Sequence, residues 1–178
     1  ARQHYQQGGR LSPPPRPVVA AVHGPAIGGG LGVALVADFR VSCAEARFSA
    51  NFARLGFHPG FGLSHTLPRL IGAQQASLLL LTGRRIGGEE AQRIGLVGLL
   101  VPQAEVRAEA MKLAAEIAGG APLAVQATRA SLRTGLAEAV REATEREAAL
   151  QAEHFETQDF IEGVAAMTAR REPVFHGR

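Results

Sequence analysis

The chain has 178 residues, 46% of them hydrophobic and 20% charged, with a net charge of +3, the balance of one globular domain with enough apolar material for its own core. Cys43 is the only cysteine, so an internal disulfide is excluded and a reducing, cytoplasmic setting is expected. No apolar stretch approaches the roughly 20 residues that a membrane span needs.

The isoelectric point is about 10, and Lys112 is the only lysine. The arginines are scattered, with Glu138, Glu142, Glu145 and Glu147 among them. No basic run interleaved with aromatics occurs, which argues against nucleic-acid binding. The start is polar and proline-rich, unlike a signal peptide, and it lacks an initiator methionine. It reads as the middle of a longer chain.

Residues 1–16 read as a helix remnant and linker, because Pro13, Pro14 and Pro15 forbid helix. Pro17 to His23 is a short Val-rich run that predicts a buried strand. Gly24 to Gly30 is a glycine-dense turn, and a helix starting within it runs to Ala37. Strands are predicted at Asp38 to Ser42 and Ala46 to Ser49, then a Gly-, Pro- and Phe-rich loop from Ala53 to Gly62. A helix from Leu63 places Leu67, Leu70 and Ile71 on one side and stops at Gly72. Another covers Ala73 to Leu81 and ends at Gly83. A short helix runs from Gly88 to Ile94, with Glu89 and Glu90 in its first turn where the dipole favours them. A strand follows at Leu96 to Val101.

From Glu105 the pattern is helical throughout. One helix ends at Gly119-Gly120. The next begins at Pro122, a good first helical residue, and runs to about Thr134. A long one covers Leu136 to Thr157, with Leu136, Val140, Ala143 and Leu150 at near-heptad spacing and Glu142–Arg146 as an i,i+4 pair. Asp159 and Glu162 make a capping-box-like start to the last helix, in which Phe160, Val164 and Met167 share a face.

The glycine turn carries the strongest chemical signal. Consecutive glycines before a helix let a ligand approach backbone closely and leave N–H groups without partners. Such amides hold an oxyanion or phosphate. The turn is not a P-loop, since no Gly-Lys-Ser/Thr follows, and its spacing fails the dinucleotide fingerprint. No HExxH, GxSxG or paired-cysteine pattern occurs, so no metal site is expected.

Four ordered blocks resemble the enoyl-CoA hydratase/isomerase (crotonase) superfamily. They are PVVAAVHGPAIGGGLGVALVADFRVS, ARFSANFARLGFHPGFG, LTGRRIGGEEAQRIGLVGLLVP and the ending REPVFHGR. The resemblance runs from Arg16 to Arg178. It implies an α/β, ClpP/crotonase-like core of repeated ββα turns over residues 17–118. A C-terminal helical region over 119–178 would mediate a homotrimer or a dimer of trimers.

The resemblance also implies an acyl-CoA thioester as substrate, with coenzyme A part of it and no separate cofactor. One oxyanion donor is the Gly29 amide. The other lies in a block upstream of residue 1. Ala26, Ile27, Gly28, Phe52, Phe57, Gly60 and Phe61 are expected around the acyl group, with the three phenylalanines as a wall suited to a bulky or aromatic one. The two glutamates usual in a hydratase fall at Gly32 and Phe52, and neither residue can move a proton. His58 is the candidate base or helper. Asn51, Ser49, Arg54 and His65 are further polar residues of the same stretch, and His23 flanks the glycine turn. Asp38 is expected to brace a helix–strand junction, Cys43 to be buried and inert, and Arg170 or Arg171 to reach the CoA phosphates of a neighbouring subunit. A non-catalytic acyl-CoA-binding homologue is the alternative.

Overall fold

The computed structural model describes residues 16–178. The helix remnant and the prolines expected at 1–15 lie outside these residues.

Two small sheets are built alternately as the chain advances. Strand β1 (Val19–Val22) enters one sheet and β2 (Pro25–Ile27) the other. Helix α1 (Gly29–Ala34) then returns the chain, and β3 (Phe39–Ser42) and β4 (Arg47–Ser49) repeat the pattern. A return through a helix makes each new strand parallel to its predecessor. Val19 therefore pairs with Phe39 and Val22 with Ser42, and Pro25 pairs with Arg47 and Ile27 with Ser49. β5 (Arg85–Gly87) joins β4 antiparallel, with Phe48 opposite Ile86. β6 (Leu99–Leu100) joins β3 parallel, completing the order β1-β3-β6 beside β2-β4-β5. This is the repeated ββα arrangement that the motifs implied.

Between the strands lie a 3-10 turn (Asn51–Leu55), α2 (Leu63–Ile71), α3 (Ala73–Thr82) and α4 (Gly88–Arg93). A second 3-10 turn (Gln103–Glu105) leads into α5 (Val106–Ala118). Then come α6 (Pro122–Leu132), α7 (Leu136–His154) and α8 (Gln158–Thr168). Leu31, Val41, Phe48, Leu63, Leu67, Leu79, Leu96 and Val106 form the fully buried core. Gly88 is there by necessity, because a Cβ on it would collide with the carbonyl oxygen of Cys43.

Several local expectations are revised. β2 and β5 went unread because β2 lies inside the glycine-dense turn and β5 carries only Ile86 as an apolar residue. The first three residues of the loop predicted from Ala53 belong to a 3-10 turn that begins at Asn51. Leu70 points outward, while Leu67 and Ile71 are buried. Thr157, not Asp159, caps α8: its hydroxyl accepts the Phe160 N–H at 3.1 Å. On α7, Arg141 bridges Glu138 and Glu145, and no Glu142–Arg146 pair forms among the described residues. The buried stripe of α7 is Ala143, Glu147 and Gln151. That of α8 is Gly163 and Ala166. A Cβ on Gly163 would sit 2.5 Å from the Leu55 carbonyl carbon, so the helix seats on backbone through its smallest residues. Val164 and Met167 stay exposed.

Two polar clusters tie the helical region to the core. The Asp38 carboxylate accepts the Val18 N–H at 2.8 Å and Arg129 Nε at 2.8 Å, and it also pairs with Arg133. It thus joins β1 and the α1–β3 junction to α6. The Arg40 side chain is buried and donates to the carbonyls of Leu96 at 2.7 Å and Ala37 at 2.9 Å. It thereby satisfies one acceptor just past the end of α1 and one just past the end of α4. No helix among the described residues is long and apolar enough to cross a membrane.

Candidate active site

The glycine turn is shaped by its backbone. Gly28 has φ +54°, a conformation open to glycine at little cost. Its N–H donates to the Ser49 carbonyl at 2.8 Å, pinning the turn to the end of β4. Its own carbonyl accepts from Leu31 and Gly32 at 3.1 and 3.2 Å, which starts α1. Among the described residues the Gly29 N–H has no backbone acceptor. Gly29 is half-buried, between buried Gly28 and exposed Gly30. A donor so placed, with no partner among the described residues, is what binding an oxyanion requires.

The other predicted residues divide into two groups. Ala26 and Gly28 are buried beside the turn, and Ile27 is half-buried in β2. Phe61 lies directly against α1. A Cβ on Gly29 would come 2.7 Å from its Cε2, and one on Gly32 would collide with its Cβ and lie 2.9 Å from its Cγ. Gly29 and Gly32 are three residues apart on one helix face, and the missing side chains make a groove for this ring. The Phe61 backbone takes φ +62°, rare for a residue with a side chain. Asn51 Oδ1 also reaches the turn, 3.2 Å from where a Gly28 Cβ would stand.

Phe52 and Phe57 do not join Phe61 in a common wall. Phe52 is 3% exposed, with its Cζ beneath Gly28. Its ring meets Phe57 edge-on at 5.4 Å, and Phe57 packs on Phe155 and Phe160 at 5.2 and 5.7 Å. These rings form the aromatic junction between the 3-10 turn and the C-terminal helices. Gly60 is buried in the loop that follows.

His58 is half-buried and anchored to α7. Its N–H donates to His154 Nδ1 at 3.1 Å, and its carbonyl accepts Gln151 Nε2 at 2.8 Å. Its Nδ1 lies 2.8 Å from the Pro59 carbonyl. A carbonyl only accepts, so Nδ1 carries the proton of the neutral ring and Nε2 is left as the basic nitrogen.

Three of the remaining polar candidates, Ser49, Arg54 and Arg171, have structural partners. Ser49 Oγ donates to the Gly83 carbonyl at 3.0 Å. Arg54 pairs with Glu172 at 2.7 Å. Arg171 is held by Glu162, whose carboxyl the Arg171 hydrogen bond and the Val174 N–H lower to about 2. Cys43 is buried. An open cleft near the chain's end is lined by Asp159, Glu162, Arg171 and His176, and Arg171 alone of the predicted residues lines it.

Glu147 escaped sequence reading. It is 1% exposed. Its carboxylate accepts the Gly62 N–H at 2.7 Å, the Ser64 N–H at 2.9 Å and Ser64 Oγ at 2.6 Å. The helix start it caps has only Gly62 in the capping position. A carboxylate suits such a start through both its hydrogen bonds and the helix dipole. The only sequence trace of this role is a glutamate in register with Ala143 and Gln151, on the helix's inward face.

Comparison with known proteins gives this geometry its family. The Enoyl-CoA hydratase/isomerase profile matches residues 3–178. The chain belongs to the enoyl-CoA hydratase/isomerase family. Among curated members, it is 42% identical over 168 residues to a protein of Mycobacterium tuberculosis named a probable enoyl-CoA hydratase, covering 90% of this chain and 57% of that one. It is 38% identical over 167 residues to the carnitinyl-CoA dehydratase of Escherichia coli, covering 92% and 64%. The crystal structure of an enoyl-CoA hydratase/isomerase from Pseudoalteromonas atlantica superposes with a TM-score of 0.88 at 34% identity. That match covers 95% of this chain and 68% of the other. The chain thus spans roughly three-fifths of the length of these curated family members.

Proposed function

We propose that this chain is the thioester-binding portion of an acyl-CoA enzyme in which the Gly29 amide polarises the thioester carbonyl, and that its reaction is not standard hydration. The observation that carries this reading is the Gly29 N–H, which has no backbone acceptor among the described residues, in a chain of this family. A fixed donor of this kind contributes roughly 3–4 kcal/mol toward a developing oxyanion. The test is the carbonyl resonance of crotonyl-CoA carrying 13C at the thioester carbon, bound to the full-length protein. Polarisation shifts it downfield from its position in water. An unshifted resonance in the saturated complex rules out the Gly29 donor.

The departure from hydration rests on Gly32 and Phe52, which occupy the places where a hydratase carries its two glutamates. His58 supplies the remaining base, through Nε2. Replacement of His58 by alanine is expected to abolish turnover while leaving acyl-CoA affinity within about twofold, the pattern of a group used only in the chemical step. Turnover unaffected by the change removes His58 from the mechanism. An absence of turnover on any acyl-CoA by the unmodified protein favours a non-catalytic acyl-CoA-binding homologue instead.

We also propose a trimer formed through the C-terminal helices. Ile161, Val164 and Met167 are 58%, 44% and 58% exposed on α8, an apolar face that a second copy would cover. Light scattering on the full-length protein at micromolar concentration is expected to give three times the chain mass. A monomer mass refutes the assembly.

A further inference from the structure

Among the described residues around the turn, Phe61 is the only non-glycine residue with positive φ, and its ring lies where side chains on Gly29 and Gly32 would stand. Among the described residues, two features hold it there. The groove has no Cβ at either helix position, so the ring contacts backbone. The next residue, Gly62, also at positive φ, is clamped by its N–H to buried Glu147, which fixes Ser64 as well. Glu147 thus sits on a helix 85 residues along the chain and sets the path of the backbone that carries Phe61. Phe52 and Phe57, turned into the aromatic junction, leave Phe61 as the predicted phenylalanine that touches Gly29.

We propose that Phe61 is the specificity-determining residue of the acyl site and that Glu147 is its positioning residue. The ring closes the glycine-lined face beside the Gly29 amide. It restricts the site to short acyl thioesters and leaves no room for any side chain at position 32. The selectivity rests on the acyl-CoA reading above; the steric interlock between Phe61 and Gly32 does not.

The experiment has two arms, both in the full-length protein. In the first, Gly32→Ala is made with and without Phe61→Gly, and glycine is chosen because it adopts the left-handed backbone without strain. Gly32→Ala alone is expected to lower Tm by about 5 °C through overpacking. In the Phe61→Gly background that loss disappears. An equal loss in both backgrounds overturns the interlock.

In the second arm, dissociation constants for acetyl-CoA and octanoyl-CoA are measured. Phe61→Gly is expected to shift the ratio toward octanoyl-CoA by about tenfold or more, the scale on which a pocket discriminates chain length. Glu147→Gln keeps an acceptor for one of its N–H donors and loses the other, so it should shift the ratio in the same direction by a smaller factor. A merely structural Glu147 would lower Tm with the ratio unchanged. Acetyl-CoA binding with no change of ratio in Phe61→Gly overturns the Phe61 inference alone. Failure of the unmodified protein to bind either thioester overturns the acyl-CoA reading, and the selectivity with it, while the first arm still decides the interlock.

Discussion

Replacing Asp38 by alanine is expected to cost about 3–5 kcal/mol of stability, the range found when one partner of a buried ion pair is removed. The carboxylate is 15% exposed and faces Arg129 and Arg133, which are 9% and 19% exposed. Both guanidiniums and the Val18 N–H would lose the acceptor they share. Three separate segments, β1, the α1–β3 junction and α6, meet at this one carboxylate, so the loss should be cooperative rather than local. Urea unfolding of the full-length protein measures it through the midpoint at unchanged slope. A change below about 1 kcal/mol, the usual worth of an exposed pair, would show the cluster to be solvated.

The same residue gives a pH dependence with a definite sign. Burial pushes the Asp38 carboxyl up, but the Arg129 hydrogen bond, the Val18 N–H and Arg133 outweigh it and hold the group below its ordinary value. The unfolded chain therefore takes up this proton first as pH falls. Stability from Asp38 is fully present above the ordinary carboxylate pKa of about 3.9 and is lost as pH drops through the lower folded value. The alanine variant should lack that share of the acid-side loss.

The second large effect concerns turnover. Hydration of crotonyl-CoA by the full-length protein is expected to run near background on the proposed reading that Gly32 and Phe52 stand at the two glutamate positions, because general acid–base groups each contribute about 10²–10⁴-fold. The structure adds why neither is easily restored. A glutamate at position 32 meets Phe61 at its first side-chain carbon. A glutamate at position 52 would enter a site 3% exposed, against the Phe57 ring, where an unpaired carboxylate stays protonated or disrupts packing. Gly32→Glu and Phe52→Glu made singly should therefore gain no hydration. Turnover at ordinary hydratase rates with Gly32 and Phe52 in place would refute this account of the site.

Sequence alone determined the family, the ββα character, the glycine turn with Gly29 in it and most helix boundaries. These features are local: Val-rich runs, glycine stops at Gly72 and Gly83, and Pro122 at a helix start each act through their own backbone. Only the tertiary structure decided which phenylalanine lies against Gly29 and Gly32. Phe52, Phe57 and Phe61 are equivalent as apolar residues of one loop, and their separation comes from Phe155 and Phe160, about 100 residues further on. The role of Glu147 was hidden for the same reason. A glutamate on a charged helix reads as solvent-facing until α7 is laid against α2, and burial with three donors is a property of that contact, not of the residues beside it.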